Sequence, residues 1–151
     1  MQSLITMNQS TRRVMATAVQ DLSAEQWFTI PDGFDNNIAW NIGHVVAVQQ
    51  SVMYRLSGLD GHISKAFSKM FNPGTSPADW TEQPDPAELL AVLESTIDAL
   101  QTDYDNGIFV KYRGITTASG LAMNNIEEAA AFNLFHEGLH LGMILALKNL
   151  V

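Results

Sequence analysis

Two histidines four residues apart, His136 and His140, stand in the run Phe135-His136-Glu137-Gly138-Leu139-His140 near the end of a 151-residue chain. On a helix turning about 100° per residue, positions i and i+4 lie one above the other, so both imidazoles can face a single point. Three kinds of chemistry fit that spacing: a core pair with ordinary hydrogen-bond partners, the H-E-x-x-H of zinc metalloproteases, or two-thirds of a metal site. The protease pattern needs a further ligand downstream, yet residues 141–151 hold no His, Asp or Glu. No strand signal offers an edge to an extended peptide either. The third imidazole must come from elsewhere, and His44 is the candidate. Three neutral imidazoles from two helices leave a coordination position open, as catalytic rather than closed structural sites do. The chain has no cysteine, so the ligand set suits Zn(II), Ni(II) or Fe(II), and ligand softness does not choose among them.

Other polar side chains surround this set in sequence. Glu137 lies about 60° around the helix from His140, placed either as a catalytic carboxylate that orients a metal-bound water or as a rim charge. Glu128 is the other nearby carboxylate. Asn41 and Asn133, each three residues before a histidine, are candidates for the wall of a substrate pocket. His62 follows Gly61 in the middle of the chain and is expected to be exposed or to pack within a loop. Trp27, Trp40 and Trp80 are expected in the core or at the bundle ends.

The elements that must position these residues follow from periodicity. Leu4, Met7, Thr11, Val14, Met15, Ala18 and Leu22 keep a 3-4 spacing that predicts a helix from Ser3 to Gln20. Ser23 and Gln26 have capping-box form ahead of a short turn. Asn36 and Asn37 precede a second long helix to Ser57, with Ile38, Ile42, Val45, Gln49, Val52 and Leu56 as its stripe and Gly58 as its stop. His44 falls on the flank of that stripe with Asn37, Asn41 and Val48. A short helix over Ile63–Phe71 and Pro-rich loops fill residues 59 to 86, the length of a crossover between two parallel helices. Pro86 opens a third long helix ending near Tyr104, with Leu89, Leu90, Leu93, Ile97 and Leu100 facing inward. Phe109–Tyr112 reads as loop. The last helix begins between Thr117 and Asn125, and its predicted core stripe is Ala129, Phe132, His136, His140, Met143, Leu147 and Leu150. The expectation is an all-α protein: one domain over residues 1–151, a four-helix bundle with a long connection between its second and third helices.

Composition narrows the function classes. The formal charge is −8, from 16 acidic and 8 basic residues, which repels a phosphate backbone, so no nucleic-acid partner is expected. No apolar run approaches a membrane span in length, and no signal-peptide pattern follows Arg12 and Arg13. A cytoplasmic protein acting on a small molecule, with no membrane partner, is the expectation.

With Trp40-Asn41-Ile42-Gly43-His44 on one helix and His136-x-x-x-His140-x-Gly142 on the last, the chain resembles the DinB/YfiT-like superfamily of metal-dependent proteins. The resemblance covers essentially the whole chain. It implies a four-helix bundle in which His44, His136 and His140 bind a divalent nickel, zinc or iron ion, and a homodimer, as many relatives are. Some relatives are thiol S-transferases that join a low-molecular-weight thiol to an electrophile, and a related bundle is a thiol-dependent isomerase. The implied activity is thus a metal-activated thiol transfer, with a non-catalytic metal-binding or dimerisation bundle as the alternative. The sequence departs from the family at Leu141 and Met143, where relatives often carry a basic residue and Gln.

Overall fold

The computed structural model describes all 151 residues. Its elements are α1 (Gln2–Val19), α2 (Ala24–Phe28), α3 (Ile38–Gln49), α4 (Lys65–Phe71), α5 (Pro86–Asp105), β1 (Ile115–Thr116), β2 (Ala122–Met123) and α6 (Ile126–Lys148). The helix starts are those that local side-chain chemistry favours. Ser23 and Gln26 close a reciprocal capping box on α2. Asn37, Asp85 and Asn125 each accept a backbone N–H at the first turn of α3, α5 and α6, a cap worth about 1 kcal/mol each. Beyond Gln49 the second long helix loosens into a π turn (Gln50–Tyr54) and a 3-10 turn (Arg55–Ser57), then stops at Gly58 with φ 73°. The stop was expected; the π turn was not, because no sequence pattern marks it.

Helices α1, α3, α5 and α6 form the bundle. Helix α1 packs on α5 and α6, and α3 packs on the same two from the opposite corner. Side-chain contacts fix the directions. Arg12 meets Glu137 and Lys148 meets Ala18, so α1 and α6 run parallel. Gln49 reaches Thr96 and Tyr54 reaches Asp103, so α3 and α5 also run parallel. The long middle connection is therefore the crossover that two parallel helices require. Helix α3 is the centre of the molecule, with every residue from Ile38 to Gln49 buried.

The core has two apolar halves. One gathers Met15, Val19, Ile42, Val45, Leu93 and Ile144, and the other Ile5, Val52, Met53, Leu100, Met123 and Ala130. Between them lies a polar layer with a member from each helix: Asn8 and Arg12, Gln49, Thr96, and Asn133 with Glu137.

That layer corrects two expectations. On α1 the buried face is Ile5, Asn8, Arg12, Met15 and Val19, whereas Met7 and Val14 are 55% and 49% exposed. On α6 the buried face is centred on Ala130, Asn133, Glu137 and Ile144. The histidines lie on its half-buried flank, and Met143 and Leu150 are exposed. Both stripes are rotated about a quarter turn from the predicted ones. The cause is the same in each case: a buried polar pair occupies the position that a purely apolar reading assigns to solvent. Two further corrections are small. A two-residue antiparallel pairing of Ile115 with Met123 and Thr116 with Ala122 stands just before α6, too short to leave an alternation signal. And α6, with mean hydropathy 1.2, is long and apolar enough by those measures to cross a membrane, although no run of that length had been expected.

Candidate metal centre

Because α3 and α6 are antiparallel, His44 meets His136 and His140 across one helix interface. The ring centroids are 5.2 Å and 4.8 Å from that of His44, and the two α6 rings are 4.5 Å apart. One ligand nitrogen from each ring lies within 4.8 Å of the others. This is the contact on which the three-histidine reading depended.

The tautomers follow from the partners. His44 Nδ1–H donates to the Phe71 carbonyl oxygen at 2.7 Å, and a carbonyl can only accept. His140 Nδ1–H donates to Asn41 Oδ1 at 2.7 Å. The Asn41 amide cannot be flipped, because its Nδ2 donates to the Asn37 carbonyl and to Asn36 Oδ1. Both rings thereby present Nε2 with a free lone pair. Metal-binding histidines are held in the same way, with the non-ligating N–H given to a fixed acceptor. His136 differs, for its Nδ1 is buried with no hydrogen-bond partner, a state that costs about 1–3 kcal/mol.

Burial keeps the three rings neutral. It lowers the His136 pKa to about 4, with the neighbouring His44 charge adding to the shift. It lowers that of His140 to about 3, with His136 and then His44 adding. For His44 burial lowers the pKa, and the hydrogen bond to Phe71 opposes it. Neutral imidazoles with free lone pairs are the form a divalent cation binds. The donor set, the fixed tautomers and the orphaned His136 nitrogen all fit such an ion.

Aromatic groups wall the centre. Trp40 stacks on His44 at 4.3 Å, its Nε1–H held by Thr75 Oγ1, and Phe132 stacks on His136 at 5.8 Å. Trp40 is thus part of the centre as well as of the core. Gly43 lets α4 approach: a Cβ there would lie 2.3 Å from the Phe71 ring, and it is the Phe71 carbonyl that holds His44. Sequence reasoning missed the roles of Trp40 and Phe71. The short Trp40–His44 spacing was the only available signal for the first, and nothing local signals the second.

The other site candidates sit as follows. Asn41 is fully buried and orients His140. Asn133 and Glu137 are also fully buried, in the polar layer on the side of α6 turned to α1. Arg12 donates from Nη2 at 2.7 Å and from Nε at 3.1 Å to Glu137 Oε1, which also accepts from Asn133 Nδ2 at 2.9 Å. Glu137 is therefore no rim charge. Glu128 accepts from the Asn124 backbone N–H and side-chain amide at the start of α6. His62 lies at the surface, with Nε2 at 2.7 Å from Asp103 Oδ2.

An all-helical bundle with a three-histidine centre between two antiparallel helices defines a class of metal-site proteins. Within that class, the family model of the DinB superfamily matches residues 7–144, and the chain belongs to this superfamily. No curated protein sequence matches it.

Proposed function

We propose that the protein is a divalent-metal enzyme of the thiol-transferase type, with His44, His136 and His140 as metal ligands and a low-molecular-weight thiol as co-substrate. One observation carries the reading: the convergence of three neutral imidazoles, two of them held by Phe71 and Asn41 with Nε2 free. A bound divalent cation would supply positive charge that lowers the pKa of a thiol at neutral pH, leaving the thiolate as nucleophile. The chain's own part is to hold the rings. Asn41 and Phe71 fix two tautomers, and Trp40 and Phe132 keep water from the ring faces. The substrate brings the sulfur, so the absence of cysteine is no obstacle. The metal is nickel, zinc or iron, and the site of action is the cytoplasm.

The reading includes a homodimer. The outward face of α6 carries Ala131, Phe135, Gly138, Leu139, Gly142 and Leu145, with Phe135 and Leu139 54% and 58% exposed. The exposed Met7 and Val14 of the adjoining α1 extend this apolar surface. Only 28% of the apolar window of α6 is buried within one chain. A second copy using the same face about a two-fold axis would cover it.

A rival reading has an observation of its own. Trp40 and Phe132 stack on His44 and His136, an apolar lining that suits a closed, non-catalytic metal bundle. Elemental analysis of untagged protein tests the centre, and thiol consumption with an electrophile tests the activity. About one metal per chain, lost in His136→Ala, with thiol turnover supports the enzyme. Metal without turnover supports the structural bundle, and equal trace metal in both proteins removes the site.

A further inference from the structure

The chain has eight Lys and Arg residues against sixteen acids, and Arg12 is spent inside the bundle on Glu137. Three of the other seven cations, Arg55, Lys65 and Lys69, line one cavity of about 450 Å³ between the end of α3 and α4. Asp60 is the only acid in its wall. The ion pairs of the molecule are Arg12–Glu137 and His62–Asp103, so none of the three cations is neutralised by a carboxylate. Lys65 stands at the first residue of α4, where the helix dipole disfavours a cation. Its place there is not explained by helix stability.

The wall is polar: Arg55, Lys65 and Lys69 are exposed, and Arg55 and Gln50 are held by local hydrogen bonds. Ser51 and Ser68 line it with hydroxyl oxygens, Ser68 Oγ donating to the Ser64 carbonyl at 3.2 Å, and Gln50 Nε2 donates to Gln49 Oε1 at 2.6 Å. The π turn carries Gln50 and Ser51, and Arg55 Nη2 donates to Ser51 Oγ at 2.7 Å. Gln50 Oε1 accepts the His62 backbone N–H at 2.6 Å. Gly61 packs so closely that a Cβ would lie 2.4 Å from that oxygen. The volume is in the range of small-molecule sites, about 300–1,000 Å³. Cations outside any ion pair are the chemistry that holds carboxylate or phosphate oxygens.

We infer that this cavity is an anion site, taking the carboxylate or phosphate group of a small molecule at Arg55, Lys65 and Lys69. The inference stands apart from the metal centre. The two are nevertheless neighbours in the fold: Ala47 in the cavity wall lies three residues beyond His44, and Asn72, also in the wall, follows Phe71.

Calorimetric titration of the full-length protein as purified, with inorganic phosphate and separately with succinate at constant ionic strength, tests it. Saturable one-to-one binding of at least one anion is expected. Lys65→Gln/Lys69→Gln should weaken that binding about tenfold or more, the scale of a lost charge-assisted hydrogen bond. Lys111→Gln, outside the cavity, should leave it unchanged. Binding of phosphate alone marks a phosphorylated ligand, and binding of succinate a carboxylate. Failure of both anions to saturate overturns the inference, as does equal weakening by Lys111→Gln. Binding that is lost in His136→Ala but kept in Lys65→Gln/Lys69→Gln places the anion at the histidines and overturns it too.

Discussion

Replacing Glu137 by Gln separates a structural carboxylate from a catalytic one. The side chain is fully buried and accepts from Arg12 Nε and Nη2 and from Asn133 Nδ2. Arg12 in turn donates from Nη1 to the Leu93 carbonyl at 2.7 Å and to Thr96 Oγ1 at 2.8 Å. The guanidinium is therefore fastened to α5 as well, and cannot swing into water when its carboxylate is lost. Removing one partner of such a buried pair leaves an uncompensated charge and costs about 3–5 kcal/mol. For a domain of this size, about 2–4 °C of Tm per kcal/mol makes that a fall of roughly 6–20 °C. Urea unfolding of wild type, Glu137→Gln, Arg12→Met and Arg12→Met/Glu137→Met measures it. Each single variant should lose about 3–5 kcal/mol, and the double variant should lose less than the sum, because it removes both charges. Metal content at low temperature, where Glu137→Gln is still folded, should equal that of wild type. A Glu137→Gln protein as stable as wild type but without thiol turnover would refute this reasoning and return Glu137 to the catalytic role.

Three further outcomes follow from the geometry. Asn41→Ala deprives His140 Nδ1–H of its acceptor and should weaken metal affinity about 10–100-fold, read by competition with a chromogenic chelator; unchanged affinity refutes the orienting role. Acid should destabilise the metal-free protein through the histidines, since burial holds the folded values for His136 and His140 near 4 and 3 against 6.5 unfolded. The folded state then binds fewer protons, so their contribution is full above pH 6.5 and is lost as pH falls toward 4, by up to about 1.4 kcal/mol per pH unit for each ring. Urea titrations from pH 7 to 5 in chelator should give a shallower slope for His136→Asn/His140→Asn, and equal slopes would remove the linkage. Leu139→Arg, on the exposed face of α6, should shift the mass found by light scattering from dimer to monomer while leaving helix content intact; a wild-type monomer would dismiss the dimer.

How much was legible depended on where polar groups are buried. The capping box of Ser23 and Gln26, the cap at Asn37, Pro86 at the start of α5, the stop at Gly58 and the inward stripes of α3 and α5 could be read directly, because each is set by local chemistry or by apolar periodicity. The convergence of His44 with His136 and His140 was legible from the four-residue spacing of the α6 pair together with the family resemblance. The faces of α1 and α6 were not. A buried Arg12–Glu137 pair is a relation between residues 125 positions apart, and neither member alone signals burial. The Phe71 carbonyl that holds His44 was hidden for a similar reason, since it depends on how closely α4 approaches Gly43.

The rotation of α6 bears on function as well as on prediction. A helix apolar almost all round offers no single stripe, and its orientation must be set by something other than area. Here the Arg12–Glu137 pair is suited to set it, because a buried charge tolerates only one rotation, whereas apolar residues would accept several. With Glu137 turned to α1, His136 and His140 necessarily fall on the flank that meets α3, and Phe135 and Leu139 fall outward. One ion pair thus fixes the register of the metal centre without touching it, and leaves the remaining apolar side of α6 free for another surface. On this argument, Arg12→Met/Glu137→Met should lose less stability than the two single variants together yet bind metal less tightly than wild type, since what it loses is the constraint on where α6 points its histidines.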